Sequence, residues 1–250
     1  MDIAIAESQL AAWLMALAPL EAVAWLLLQN LLQLLMCIGG GWLLQQALPG
    51  RRVAPIADPL ARQELWVAGA TLLGNTAVTW LGWRALTLGW IRVDLSVGLG
   101  QILLDTALLL LAMDLAMYLA HRIAHLPALF AAVHGLHHRY ERVRPLTLFV
   151  LSPLEVFGFG GLWLVMLAVL QPSWTAMILY LLINALWGTM GHTGIEPLPR
   201  GVALLTGGRF HADHHLDPRG NFGFYTDLWD RLGRTQLADA RGPLEPPFAK

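Results

Sequence analysis

The sequence predicts an all-α polytopic membrane bundle of about four to six membrane helices, capped on one face by helices that carry a histidine-rich site for two metal ions. Three observations carry that prediction. Of the 250 residues, 56% are hydrophobic and 13% charged, against about 25% charged in an ordinary soluble domain, so lipid is the main solvent. The apolar residues fall in runs long enough to cross a hydrocarbon core, which takes about 20 helical residues. All nine histidines lie between residues 121 and 215. The composition excludes a disordered or collagen-like chain, and a net charge of −1 leaves no basic excess to bind nucleic acid. The single cysteine, Cys37, permits neither a disulfide framework nor a thiolate cluster and reads as a small buried hydrophobe.

The elements follow in order. Asp2 and Glu7 precede the first basic residue, Arg51, which is the wrong charge order for a cleaved secretory signal. A short apolar stretch at 10–20 reads as a full span, a re-entrant segment or an interfacial helix. Pro19 and Glu21 separate it from the first clear span, 22–48. Further spans are expected at 65–83, 95–120, 146–170 and 174–190. The last two are joined only by Gln171-Pro172-Ser173, a turn short enough to imply a helical hairpin. From Thr193 onward charge, Gly and Pro increase, as expected of a water-exposed cap packed under the helices. Its Pro243, Pro246 and Pro247 end is linker-like, and the segment is too short for an independent core.

Counting Lys and Arg sets the orientation. Arg51, Arg52 and Arg62 share one loop, Arg122, Arg139, Arg142 and Arg144 another, and seven more follow Met190, so fourteen of the sixteen fall on one face. Arg84 and Arg92 fall opposite. The rich face is therefore expected to be cytoplasmic, with Arg139, Arg142 and Arg144 at lipid headgroups. Trp25, Trp42, Trp66, Trp83, Trp90 and Trp174 stand near span ends, as interfacial anchors do.

Eight of the nine histidines form three tight groups on that face: His121 and His125 as HxxxH, His134, His137 and His138 as HxxHH, and His211, His214 and His215 as a second HxxHH. His192 stands alone beyond the last span. On a helix, residues three and four apart share a flank, so each group has the spacing to chelate. Imidazole suits Zn, Cu, Fe and Ni, and eight or nine nitrogens exceed one ion's needs, whereas two ions with four or five each match. A single histidine is more often structural; three spaced groups on one face favour a metal site. Asp114, Tyr118, His121 and His125 line one stripe of the third span. A carboxylate at that depth is costly and marks function or a buried pair, and Asp114 is placed to orient a histidine. Asp105 falls on the opposite face as a packing or interfacial charge. Asn75 and Arg84 read as packing and snorkelling residues.

The run Asp114-Leu-Ala-Met-Tyr118-Leu-Ala-His121-Arg122-Ile-Ala-His125, then His134-Gly-Leu-His137-His138, Gly191-His192-Thr193-Gly194 and His211-Ala-Asp213-His214-His215, closes with Asn221-Phe-Gly223 and Asp227-Leu-Trp229-Asp230-Arg231-Leu-Gly233. In order and spacing it resembles the fatty acid hydroxylase and sterol desaturase superfamily of integral-membrane di-iron enzymes. The resemblance covers about 105–235 and divides one integrated domain into N-terminal membrane helices (1–104), a catalytic region (105–235) and a C-terminal tail (236–250). It implies that His121, His125, His134, His137, His138, His192, His211, His214 and His215 bind two iron ions, with zinc the substitute in recombinant material. It further implies that Asp114, Tyr118 and Asp213 act on those imidazoles from behind, although Asp213 reads equally well as a helix-surface charge. Glu196, Asp227 and Asp230 are expected in local caps and salt bridges near Arg231 and Arg234.

The implied activity is O2-dependent hydroxylation or desaturation of an apolar lipid, whether sterol, fatty acyl or sphingoid lipid, or carotenoid-like. No haem-binding segment precedes the core, so electrons are expected from a separate cytochrome b5-, ferredoxin- or reductase-type donor. Ser152 stands where many relatives place a histidine, and a single histidine stands near 192, which disfavours the fatty acyl 2-hydroxylase branch. The alternative is a membrane metal-binding or metal-transport protein. Transport calls for polar groups spread across the midplane on several helices, whereas these spans are nearly devoid of them. A zinc hydrolase is disfavoured because no HExxH motif is present.

Overall fold

The computed structural model describes residues 3–95, 97–197 and 204–237. Nine helices are formed among them: α1 (Ile3–Ala16), α2 (Pro19–Ala47), α3 (Arg62–Thr87), α4 (Leu99–Ala124), α5 (Pro127–Val133), α6 (Pro153–Leu170), α7 (Trp174–Gly191), α8 (Gly208–Leu216) and α9 (Leu228–Gly233). Tight 3-10 turns occupy Pro49–Arg51, His137–Arg139 and Pro145–Phe149. Four helices, α2, α4, α6 and α7, are long and apolar enough to cross a membrane, and the chain is a multi-pass membrane protein. α3 equals α4 in length, but its buried Glu64, Thr71 and Thr76 make it less apolar. The linker-like prolines 243, 246 and 247 lie outside the described residues.

The long helices pack in the order α2, α3, α6, α4, α7 and back to α2. Small residues let α3 and α6 approach closely: a Cβ on Gly160 would stand 2.7 Å from Val78, and one on Gly74 2.9 Å from Val156. Leu109 and Met113 of α4 meet Ala176 and Tyr180 of α7 in the core. Because the helices alternate in direction, the C-terminal ends of α2, α4 and α7 and the N-terminal ends of α3 and α6 meet at one end of the bundle. Gln45 of α2 donates to the Thr193 carbonyl there (2.7 Å), and Thr71 of α3 reaches the Leu151 carbonyl (3.5 Å).

Several expectations are corrected. α1 has 14 residues, too few to span, and it sits against the far end of α3, where the Trp83 indole donates to the Leu14 carbonyl (2.7 Å). The span expected at 146–170 begins only at Pro153, because Pro145–Phe149 is a 3-10 turn. The Ser152 hydroxyl then caps α6, accepting from Glu155 N–H (3.1 Å), with proline at the first helical position. The first HxxHH is not on an α-helix: His134 ends α5, and His137 opens a separate 3-10 turn. Arg142 and Arg144, expected at headgroups, pair with Asp58 (3.1 Å) and the buried Glu64 (3.3 Å). Trp25, Trp42, Trp66 and Trp90 are exposed like anchors, whereas Trp83 and Trp174 are buried. Asp105 accepts from Ser173 N–H (2.8 Å) at the start of α7, which fits a packing charge.

Candidate metal centre

The nine histidines converge at the shared end of the bundle, in two groups whose ligand atoms lie within 4.8 Å of one another. One group is His121, His125, His134, His138 and His214; the other is His137, His192, His211 and His215. The division cuts through both HxxHH motifs. In each, the histidines four apart turn to one group (134 with 138, 211 with 215) and the remaining one turns to the other, so each motif serves both groups rather than one flank.

Five Nδ1 atoms are held by acceptors. His121 donates to the Phe222 carbonyl (2.9 Å), His134 to Glu155 Oε1 (2.6 Å), His137 to the Val150 carbonyl (3.2 Å), His192 to the Gly188 carbonyl (2.7 Å) and His214 to the Gly220 carbonyl (2.7 Å). A carbonyl can only accept, so Nδ1 of His121, His137, His192 and His214 carries the proton and Nε2 presents a lone pair, and His134 takes the same form when Glu155 is ionised. Yet His121 Nε2 stands 2.9 Å from His134 Nε2, and His192 Nε2 stands 3.3 Å from His137 Nε2. Two lone pairs facing each other cannot hydrogen-bond. A cation between them satisfies both, and the buried His125 Nε2, which has no hydrogen-bond partner, adds another free donor atom. The residues therefore fit a pair of metal ions bound by imidazole.

Electrostatics agree. Burial, reinforced by the neighbouring imidazoles, holds His134, His137, His211, His214 and His215 well below the usual histidine pKa, and His138 down at about 3. These rings are neutral at physiological pH, which is the ligating form.

One carboxylate that touches an imidazole is Glu155, which the sequence reading left without a role. A charge within an expected span was the available signal. Asp114 reaches no histidine in the hydrogen bonds it makes. It accepts from Tyr225 N–H (3.0 Å), Thr226 N–H (3.2 Å), the Thr226 hydroxyl and the Trp229 indole (3.0 Å), pinning the segment after α8. Tyr118 does likewise through its hydroxyl, paired with Thr235 Oγ1 (3.2 Å) and accepting from Arg122 (3.1 Å). Asp213 is half-buried on α8 between the clustered histidines. Asp227 makes the expected ion pair with Arg231 (2.7 Å), and Glu196 caps α8 by accepting from Arg209 N–H (3.1 Å). Asp230 departs from expectation: it is fully buried and turned toward main-chain N–H groups.

A small pocket of about 10 Å³, room for about one water molecule, lies beside the four-histidine group, lined by Trp187, Gly188, His192, Thr206, His211 and Phe224 among others. The Trp187 indole donates to Thr206 Oγ1 (3.2 Å), which fixes the ring as one wall.

Comparison with known proteins agrees with this geometry. The chain is 31% identical over 142 residues to the Delta(7)-sterol 5(6)-desaturase of Candida glabrata, covering 54% of this chain and 37% of that protein. It is 27% identical over 177 residues to the Delta(7)-sterol 5(6)-desaturase of Saccharomyces cerevisiae (64% and 47%). It is 26% identical over 154 residues to the lathosterol oxidase of Homo sapiens (59% and 51%). The chain thus spans between a third and about half the length of these relatives. No solved structure matches. The fatty acid hydroxylase family model matches residues 106–235, just over half of the chain and the part that holds every histidine, and the chain belongs to that family.

Proposed function

We propose that the protein is a membrane-bound oxygenase that hydroxylates or desaturates an apolar lipid, using O2, two iron ions held by the nine histidines, and electrons from a separate donor protein. The observation that carries this reading is the pair of buried imidazole groups with opposed lone pairs, one of them bordering a cavity at the end of an apolar bundle. The relatives' names, sterol desaturase and lathosterol oxidase, favour a polycyclic lipid among the candidate substrates. Fourteen of sixteen Lys and Arg on the histidine side support a cytoplasmic placement, and 105–235 is the catalytic region.

Iron bound there supplies the redox chemistry that activates O2 toward a C–H bond. The chain's own residues do the rest. His121, His125, His134, His138 and His214 hold one ion and His137, His192, His211 and His215 the other, and the acceptors at Nδ1 of His121, His134, His137, His192 and His214 fix those five rings so that Nε2 faces inward. The small pocket beside His192 and His211, walled by Trp187 and Phe224, marks the side from which the reacting edge of the lipid approaches, and it widens to receive it. Exposed apolar side chains on α4 and α7, among them Leu111, Leu115, Leu182 and Leu186, make the approach from lipid favourable.

The test uses the full chain in lipid nanodiscs, loaded with ferrous iron. About two ions per chain are expected. His137→Ala and His214→Ala, one from each group, should each lower that number and abolish O2-dependent product. Mass spectrometry of lipids from cells with and without the protein should show a gain of one oxygen or a loss of two hydrogens. Full metal content in both variants would remove these residues from the site.

A further inference from the structure

The segment between α8 and α9 presents main-chain carbonyls to two imidazoles of the five-histidine group: Gly220 to His214 and Phe222 to His121. Nothing in a loop's own conformation holds carbonyls at such an angle, and Asn221 between them is left-handed, with φ of 59°, a conformation that few residues other than glycine and asparagine adopt. The turn is therefore held from outside. Asp230 supplies the hold. Its Oδ1 accepts from Phe222 N–H (2.9 Å) and the Thr235 hydroxyl (2.6 Å), and its Oδ2 accepts from Gly223 N–H (2.6 Å). Glycine is needed at 223 because a Cβ there would stand 2.3 Å from the Thr226 carbonyl oxygen and 2.8 Å from Asp230 Oδ2.

Thr235 closes the arrangement. Its carbonyl accepts from Asn221 N–H (2.9 Å), and its hydroxyl meets Tyr118 of α4, the helix that carries His121. Asn221 adds two bonds of its own, donating to the Phe210 carbonyl (3.1 Å) and accepting from Leu237 N–H (2.9 Å). A buried carboxylate is costly to hold unless its oxygens are hydrogen-bonded, and here they are met by two main-chain N–H groups and a hydroxyl. Among the described residues no comparable carboxylate-held turn serves His137 and His192 of the four-histidine group, which bond carbonyls of the Pro145–Phe149 turn's exit and of α7 itself.

We infer that Asp230 is a positioning residue for the five-histidine group, acting through the Phe222 and Gly220 carbonyls to fix the His121 and His214 tautomers so that both Nε2 atoms face the ion. The inference rests on the proposed metal reading. Partners behind metal-binding histidines are worth about 10- to 100-fold in affinity, and that is the loss expected here, confined to one ion.

The experiment titrates the full chain with ferrous iron, following two equivalents, in wild type, Asp230→Ala, Asp230→Asn and Asp227→Ala. Asp227→Ala breaks the neighbouring Arg231 pair and controls for loosening of α9. Asp230→Ala should weaken one equivalent by about 10- to 100-fold and leave the other unchanged. Asp230→Asn keeps one acceptor oxygen and should give an intermediate loss; Asp227→Ala should match wild type. In metal-free protein labelled with 15N at histidine, Asp230→Ala should mix the tautomers of His121 and His214 while His192 keeps its proton on Nδ1. Should Asp230→Ala fail to accumulate, Asp230→Asn decides by the same two readouts. Two wild-type equivalents in the Asp230 variants, or equal weakening in Asp230→Ala and Asp227→Ala, overturn the inference alone. A wild-type chain that binds no iron overturns the proposed function with it.

Discussion

The two histidine groups lie side by side at one end of the bundle and differ in what stands behind them. The five-histidine group has Glu155 behind His134 and the carbonyls of Gly220 and Phe222 behind His214 and His121. The four-histidine group takes its supports from Val150 and Gly188 and borders the small pocket at His192 and His211. The difference teaches a division of support within one fold: one group is held by the segment that follows α8, the other by the backbone at the ends of the membrane helices. It also explains why the closing segment is bonded so densely to α4, since Asp114 and Tyr118 hold in place the chain that supports the five-histidine group.

The largest effect that tests this division is expected from His192→Ala. It should remove the ion of the four-histidine group, lowering iron from about two to about one per chain, and eliminate product while the five-histidine group keeps its metal; retained turnover would erase the distinction. Next comes Glu155→Ala, which strips the acceptor from His134 Nδ1 without touching the cavity. Iron affinity at one equivalent should fall by about 10- to 100-fold, and Glu155→Gln, which keeps an acceptor oxygen, should recover much of it. Trp187→Phe should act on the other side, leaving both equivalents of iron bound but reducing kcat/KM several-fold, on the order of 1 kcal/mol for the lost indole bond to Thr206. An unchanged kcat/KM would take the substrate away from this cavity. The smallest effect is expected from Asn30→Ala. It deletes the α2–α3 hydrogen bond to Thr79 (3.0 Å) far from both groups, and should cost about 0.6 kcal/mol of stability, read by thermal unfolding, with metal content intact.

Much of this was readable in the chain itself, for a physical reason. Hydrophobic runs and the helix period report directly on span and stripe, so the multi-pass bundle and the convergence of His121 with His125 were legible. What spacing cannot report is where a helix stops. Gly135 follows the end of α5 and a 3-10 turn begins at His137, yet His137 parts from His134 and His138 just as His214 parts from His211 and His215 on the unbroken α8. Pro153 likewise delays α6 and frees residues 150–152 to place the Val150 carbonyl behind His137. The supports were least legible of all, because main-chain carbonyls have no sequence signature. Asp114 stands out in the sequence as a carboxylate expected to orient a histidine, but its hydrogen-bond partners, Tyr225, Thr226 and Trp229, lie over a hundred residues away. Glu155 carried the same signal inside an expected span, and its partner, His134, became visible only once α5 and α6 were folded together.

The central claim is that nine imidazoles from distant stretches of the chain hold two ions in separate, adjacent nests. Anomalous scattering at the iron edge from the iron-loaded protein tests it most directly. The account predicts two peaks, one among His121, His125, His134, His138 and His214, the other among His137, His192, His211 and His215 beside the small pocket. A single peak, or iron bound outside these nests in a chain folded as described, would contradict it.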